Sequence, residues 1–248
     1  MRFFTNLRST HATKTLCVIS IFLFAGIVMA KEFWETKTFD QWTQRECQRV
    51  LTDSPWVREL ELTGGFGGSS ISATDSRQPF VKYNIQLRSA APVRQAIVRQ
   101  AQINKQYDSL SAEQKQAFDQ NMQDFLVGAS PEFVVVNISF EANDQNFIRD
   151  LNRHWETQTT DLLRNSVFIR GGSRGNPVPI VQFIPGSGAS QEFQFVFPRE
   201  VNGENIIKPN DRVLQLEFAY PVIGRLGDGR GLIEFRTDRM RINNEVIY

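Results

Sequence analysis

The feature that most constrains the fold of this chain is the separation of helical and strand patterns along its length. Every stretch with helical periodicity lies between residues 39 and 163, whereas the chain from Val167 onward contains only short apolar runs between turn residues, a pattern typical of strands. Such segregation favours an α+β fold over a doubly wound parallel sheet, in which strands and helices alternate. We therefore predict a single α+β domain, in which a largely antiparallel sheet packs with helices from the N-terminal half.

Four helices are predicted from start and stop signals. The first spans residues 39–51 with Asp40 as its N-cap, and the second spans residues 92–106 with a proline at its first position. The third spans residues 111–128 and begins with a capping box. The fourth spans residues 144–163 and has a continuous apolar stripe on one side.

Three strands are predicted among these helices, at residues 57–63, 81–88 and 133–140. The second alternates apolar and polar residues, which indicates one face in the core and one in solvent. The third begins with an unbroken apolar run, so we predict that it lies at the centre of the sheet. The remaining strands are predicted at residues 167–170, 178–184, 191–197, 212–220 and 232–237, followed by a hairpin around Asn243 and Asn244.

Residues 1–30 have the layout of a secretory signal peptide. A basic leader precedes the apolar run from Leu16 to Ala30, and the run ends in Val28-Met29-Ala30, whose small residues fit a signal peptidase. Lipid attachment is excluded because Cys17 lies at the start of the run rather than at its end. We predict that the leader is removed and that residues 31–248 form a secreted domain, exported to the periplasm or the extracellular space.

A retained membrane anchor is the alternative interpretation of the leader. Its apolar run has about fifteen residues, which is shorter than the roughly 20 that a membrane-spanning helix needs. Cleavage is therefore favoured, and contact with a membrane is predicted only through the leader before it is cut.

Charge and composition limit the partners of the secreted domain. The chain carries 28 basic and 27 acidic side chains, and the leader contains three of the basic ones, Arg2, Arg8 and Lys14. The domain is thus slightly acidic and has no basic excess to neutralise phosphates, so nucleic acid is not expected as a partner. Once the leader is removed, Cys47 is the one cysteine and His154 is the one histidine. A single cysteine cannot form a disulfide within the domain.

Two arrangements could supply a nucleophile, and neither is favoured. Gly171 to Gly175 matches the G-x-S-x-G pattern after a strand, but Pro177 prevents the helix that a nucleophile elbow requires, and no histidine follows Ser173. Cys47 and His154 could form a dyad, but Cys47 shares an apolar helix face, where a cysteine is normally inert. We predict a hairpin loop at the first site and a structural role for Cys47.

No cofactor or metal site is predicted. Gly65-Phe66-Gly67 follows a strand, as a phosphate loop does, but no helix begins after it. With one cysteine and one histidine, a zinc site would depend on carboxylates, and no regularly spaced acidic residues indicate a calcium loop. Paired carboxylates for glycoside hydrolysis stay open, because the sequence does not reveal which acidic residues lie close together.

Three segments resemble a family of uncharacterised secreted proteins of Acidobacteria. The most specific extends from Phe39 to Trp56, and the others are Ser89 to Ala96 and Phe235 to Tyr248. The resemblance implies export and a shared fold, and it implies no activity because none is established for the family. Within the first segment, Trp56 follows a proline that ends the helix, and we predict that its ring covers the core rather than binding a ligand.

Two functional classes stay open. The favoured one is a non-catalytic interaction module of the periplasm or cell envelope, whose partner is an unidentified envelope protein or polymer. Phe66 in the glycine-rich loop and Arg94 and Arg99 on the second helix are the candidate partner-binding residues. The alternative is a hydrolase of an envelope polymer that uses carboxylates which the sequence does not identify. A deep pocket with converging titratable groups would favour the hydrolase.

Overall fold

The computed structural model of the protein describes residues 31–63, 79–127, 131–186, 190–223, 226 and 229–248. The chain divides into two compact units, Met1–Glu32 and Phe33–Tyr248, and the elements given below belong to the second. The predicted signal peptide, residues 1–30, lies outside the described residues.

The helices precede most of the strands in the chain. They are α1 (Phe33–Thr36), α2 (Gln44–Thr52), α3 (Ala91–Asn104), α4 (Ala112–Val127), α5 (Gln145–Glu156) and α6 (Thr160–Leu163). As predicted, Pro92 lies in the first turn of α3, and Ser111 forms a capping box with Gln114 before α4. Within the described part of the chain, none of these helices is long and apolar enough to cross a bilayer.

The first predicted helix begins later than expected. Phe39–Gln41 forms a short 3-10 turn, and α2 begins after Thr43, whose hydroxyl accepts a hydrogen bond from Glu46 N at 3.2 Å. The Glu46 carboxylate in turn accepts one from the Thr43 amide at 2.9 Å. Because this capping box satisfies two donors at the helix start, the N-cap is Thr43, and the prediction of Asp40 is wrong.

The fourth predicted helix is two helices. At the end of α5, the Thr157 hydroxyl donates a hydrogen bond to His154 O at 2.9 Å. Thr159 then caps α6 by accepting a hydrogen bond from Leu162 N at 3.4 Å. Threonine hydroxyls offer the backbone local partners that compete with a continuous helix, and the chain turns between the two.

The strands pair antiparallel and form two main sheets with two small hairpins. They are β1 (Val57–Thr63), β2 (Phe80–Leu87), β3 (Phe133–Ala142), β4 (Val167–Gly171), β5 (Val178–Pro179), β6 (Gln182–Ile184), β7 (Glu192–Pro198), β8 (Glu200–Val201), β9 (Glu204–Asn205), β10 (Val213–Tyr220), β11 (Gly229–Arg236), β12 (Arg241–Ile242) and β13 (Glu245–Val246). The first sheet has the order β1-β2-β3-β7-β6, and the second has the order β11-β10-β4-β5. The α+β class is confirmed, and β3 lies at the centre of the first sheet as predicted.

The segment predicted as one strand at residues 178–184 contributes to both sheets. Val178–Pro179 pairs with β4 in the second sheet, and Gln182–Ile184 pairs with β7 in the first. Pro179 has no amide hydrogen with which to continue a ladder, and the buried Ile180 lies where the chain crosses between the sheets. The single strand of the prediction is therefore two.

The centre of the core lies between the two sheets and beneath α5. Tyr83 of β2 and Phe195 of β7 contact Phe218 of β10, with ring centroids 5.8 and 6.0 Å from its own. Trp155 of α5 stacks on Phe193 of β7 at 4.0 Å. Since Phe193 and Phe195 point to the same side of their strand, α5 and the second sheet cover the same face of the first sheet.

Another group of buried residues joins α1 and α2 to the end of the chain. Cys47, Val50 and Trp56 are inaccessible to solvent, and the Trp56 ring meets Trp34 edge-on at 5.6 Å. The Trp56 Nε1–H donates a hydrogen bond to Ile247 O at 2.7 Å. The prediction that Trp56 belongs to the core is confirmed, and its indole also attaches the C-terminal segment to the domain.

We expect Cys47 to react slowly with a bulky maleimide in folded protein made as residues 31–248. Its side chain is fully buried, and burial raises the pKa of the thiol to about 11 although Arg99 acts in the opposite direction. The reactive thiolate is therefore scarce at pH 8. Mass spectrometry should show complete labelling only after unfolding in guanidinium, and rapid labelling of the native protein would contradict the buried position.

Candidate binding cleft

The guanidinium group of Arg94 is occupied within the domain. It donates hydrogen bonds to Ser89 O, to Leu126 O at 3.1 Å and to Val127 O at 3.4 Å. These carbonyl groups lie before α3 and at the end of α4, and burial lowers the pKa of Arg94. The structure thus gives Arg94 a role in joining two helices, and its predicted contact with a partner stays a prediction.

Arg99 is also directed at its own chain. Its Nε donates a hydrogen bond to Trp42 O at 3.0 Å, and another guanidinium nitrogen donates to Gln102 Oε1 at 3.2 Å. Phe66, the third predicted contact residue, lies outside the described residues. The structure therefore does not bring the three predicted residues together as one described site.

A surface cleft with a volume of about 1000 Å³ lies beside the loop Gly171–Gly175, which we call the glycine loop. The other walls are the β8–β9 hairpin and residues 206–213. We call this the arginine cleft, and the side chains that give it hydrogen-bonding capacity are Ser173, Arg174, Asn176, Asn202, Asn205 and Arg212. No stretch of the chain forms this cleft alone, since its lining comes from residues 171–178, from residues 201–213 and from Glu234 of β11.

Close packing holds the glycine loop against the rest of the cleft. A Cβ atom on Gly171 would lie 1.8 Å from Ile206 O, and one on Gly172 would lie 2.6 Å from Asp211 Oδ1. Gly172 also has a φ of +70°, in the region that favours glycine. Its amide donates a hydrogen bond to Val213 O at 2.8 Å. The loop therefore has a defined conformation before any partner arrives.

Asp211 organises the opposite wall. Its carboxylate accepts a hydrogen bond from Lys208 N at 2.7 Å, which closes a tight turn. Its carbonyl oxygen accepts one from the Thr237 hydroxyl at 2.5 Å. Because Thr237 is fully buried, this second bond attaches the wall to the core and limits its movement.

The charged groups of the arginine cleft differ in whether they are paired. Lys208 forms an ion pair with Glu204 at 2.9 Å, which raises the pKa of the lysine, and Glu234 accepts a hydrogen bond from Gln215 at 2.6 Å. The guanidinium groups of Arg174 and Arg212 are exposed and have no ion-pair or hydrogen-bond partner among the residues that the structure describes. The cleft thus offers two guanidinium groups to an incoming ligand.

Ser173 lines the arginine cleft, and its hydroxyl has no hydrogen-bond partner in the described part of the chain. The glycine loop continues into β5, which pairs with β4, so the predicted hairpin is confirmed and the helix of a nucleophile elbow is absent from this described segment. His154 lies elsewhere, on α5 beside Pro221 and Val222. The amine of Lys208 is held by Glu204. Neither His154 nor the Lys208 amine is therefore placed to act as the base of a serine nucleophile.

Cys47 and His154 are not brought into a common site. The charged groups near the Cys47 thiol are Arg99 and Glu46, whereas the His154 ring packs edge-on against Trp155 at 4.9 Å. Burial lowers the pKa of His154. The two side chains therefore have separate structural surroundings, which fits the prediction that Cys47 is structural.

A smaller groove of about 540 Å³ lies on the outer face of the first sheet and contains the acidic residues Glu59, Glu141 and Glu192. The Lys82 amine lies between two of them, 3.1 Å from Glu59 and 3.3 Å from Glu141. Hydrogen bonding to Glu59 is the main reason that the pKa of Lys82 is raised. In a two-carboxylate glycosidase the scissile bond lies between the two carboxyl groups, and here an ammonium group occupies that space.

Comparison with known proteins adds no identification, since no family model, no curated protein and no solved structure matches this chain. The resemblance to secreted proteins of Acidobacteria accordingly stays a prediction. Within the described ranges, no group of three or more His, Cys, Asp and Glu side chains is placed to hold a metal ion. The chemistry of the arginine cleft therefore has to be inferred from its own residues.

Sequence reasoning did not select Arg174 or Arg212 as binding residues. In the sequence, Arg174 belongs to the G-x-S-x-G pattern and Arg212 is the first residue of a predicted strand, and neither position indicates binding. A usable signal was present, because Arg174 lies in a glycine-rich loop with no acidic residue within the surrounding segment 171–180. Its exposure, and the position of Arg212 in the same cleft, required the tertiary structure.

Proposed function

We propose that this protein is a non-catalytic binding module of the periplasm or cell envelope and that it binds its partner in the arginine cleft. The observation that carries the proposal is a preformed cleft with two guanidinium groups that have no partner among the described residues. A rigid site loses little conformational entropy on binding, which favours recognition. Export is supported by the leader at residues 1–30.

Two arrangements argue against the alternative, a hydrolase of an envelope polymer. The Ser173 hydroxyl has no hydrogen-bond partner among the described residues, and the Lys82 amine lies between the carboxylates of Glu59 and Glu141. Among the described residues, the serine therefore lacks a hydrogen-bonded base, and the space between Glu59 and Glu141 is not open to a scissile bond. Binding without turnover is therefore the function that the geometry supports best.

The proposal predicts retention on envelope material without release of products. Purified residues 31–248 should sediment with isolated cell envelopes, and the double variant Arg174→Ala/Arg212→Ala should sediment at least ~10-fold less, because each arginine supplies charge-assisted hydrogen bonds. The matched control is Arg149→Ala/Arg164→Ala, which removes two exposed arginines on α5 and next to α6. New reducing ends and new amino termini in the supernatant are measured in the same samples.

Equal sedimentation of the double variant and the parent would overturn the assignment of the binding site. Product release that disappears in Glu59→Gln or Glu141→Gln would overturn the non-catalytic function and support the hydrolase. The control variant should behave like the parent, since its arginines lie outside the cleft.

A further inference from the structure

The arginine cleft has a chemistry that points to one class of ligand. We infer that it binds an extended acidic peptide, with the guanidinium groups of Arg174 and Arg212 taking carboxylates of that peptide. The inference rests on the proposed function, since it assumes that the cleft is the binding site, and it adds the chemical class of the partner.

The guanidinium groups of Arg174 and Arg212 have a geometry that suits carboxylates. A guanidinium group is a planar fork of N–H donors that matches a carboxylate with two parallel hydrogen bonds. Arg174 and Arg212 are exposed on different walls of the cleft, the glycine loop and the segment before β10. A ligand that engages both spans the cleft from one wall to the other, and an extended chain with acidic groups at more than one position can do so.

The charges of the whole cleft balance. Its lining contains three basic residues, Arg174, Lys208 and Arg212, and three acidic residues, Glu204, Asp211 and Glu234. A dense polyanion such as a nucleic acid would meet the three carboxylates as well as the cations, and binding would lack the basic excess that phosphate chains require. A peptide whose acidic side chains are separated along its chain can place one carboxylate at each arginine. It can also keep these carboxylates away from the acidic residues of the cleft.

The uncharged polar side chains of the cleft can pair with a peptide backbone. Asn176, Asn202 and Asn205 line the same cleft and are exposed. A carboxamide carries one carbonyl acceptor and N–H donors, the same groups that a peptide bond presents. Asparagine side chains can therefore pair with the backbone of a peptide at positions between its acidic side chains. Such pairing requires no aromatic platform, and none lies among the residues that line the cleft.

The backbone that carries the two arginines is held in place by packing and hydrogen bonds. The contacts of Gly171 with Ile206 O and of Gly172 with Asp211 leave no room for the loop to collapse into the cleft. The hydrogen bond from Lys208 N to Asp211 fixes the facing turn. Both arginines are thus carried by restrained backbone, which reduces the cost of binding a flexible chain.

The test is a titration with rhodamine-labelled hexapeptides followed by fluorescence anisotropy. The acidic probe is Gly-Glu-Gly-Glu-Gly-Glu and its matched control is Gly-Gln-Gly-Gln-Gly-Gln with an amidated C-terminus. We expect the acidic probe alone to saturate the parent protein, with binding weakened by salt. Arg174→Ala and Arg212→Ala should each weaken binding about 10-fold, and Arg174→Lys should restore only part of it because the fork is lost. Arg149→Ala/Arg164→Ala should bind as the parent does.

Several outcomes would overturn the inference. Equal binding of the glutamine probe would show that carboxylates are not recognised, and binding of a rhodamine-labelled oligonucleotide without binding of the acidic probe would indicate a phosphate ligand instead. If the acidic probe fails while sedimentation with envelopes still depends on Arg174 and Arg212, the peptide class is wrong and the proposed function stands. If neither experiment depends on the two arginines, both are wrong. Thermal melting of each variant confirms that it is folded.

Discussion

Replacement of Trp56 by alanine is expected to lower the free energy of unfolding by about 3–5 kcal/mol, through lost burial and a residual cavity. The ring is inaccessible to solvent and meets Trp34 edge-on at 5.6 Å. Its Nε1–H donates to Ile247 O at 2.7 Å, so the substitution also leaves a carbonyl oxygen of the C-terminal segment without its donor. Urea denaturation monitored by far-ultraviolet circular dichroism measures the effect.

Two further variants separate the contributions at this position. Trp56→Phe keeps an aromatic ring and removes the hydrogen bond, and it should cost less than the alanine variant. Leu162→Ala truncates a side chain that is 64% exposed and should change stability by no more than about 0.5 kcal/mol. If Trp56→Ala unfolded at the same urea concentration as the parent, the indole would not belong to the core.

Replacement of Gly171 by alanine is expected to destabilise the domain by about 3 kcal/mol and to abolish binding in the arginine cleft. The added Cβ would lie 1.8 Å from Ile206 O, a backbone atom that cannot rotate away as a side chain does. Gly171 also pairs with Leu214 in the ladder of β4 and β10. Either the ladder or the wall formed by residues 206–213 must move, and both position the arginines of the cleft.

Gly203→Ala is the matched control for this second prediction. Gly203 lies at the tip of the β8–β9 hairpin with a φ of +79°, and nothing lies within 4 Å of the position that a Cβ would occupy. The variant should lose about 1 kcal/mol from backbone conformation alone and should keep the cleft. Chemical denaturation and the anisotropy titration together check both variants. A Gly171→Ala protein with parental stability and parental peptide affinity would contradict the packing of the glycine loop.

Local signals in the sequence predicted those elements whose cause is local. The capping box at Ser111 and Gln114 places the start of α4, because both partners lie within one turn of the chain. Asn243 and Asn244 adopt φ values of 51° and 69° in the last hairpin, as residues that tolerate a left-handed backbone do. The N-cap of α2 was misplaced because Asp40 and Thr43 are both good capping residues, and Glu46 decides between them.

The sequence by itself determined the α+β class, the central position of β3 and the burial of Trp56. These follow from periodicity, apolar runs and helix stops, all of which act over a few residues. Only the tertiary structure decided that Arg94 and Arg99 bind backbone carbonyl groups of their own domain, and that Arg174 and Arg212 line one cleft. Which distant segments lie side by side depends on how the two sheets pack against each other. An arginine side chain forms hydrogen bonds within the domain only where that packing places carbonyl groups close to its guanidinium group.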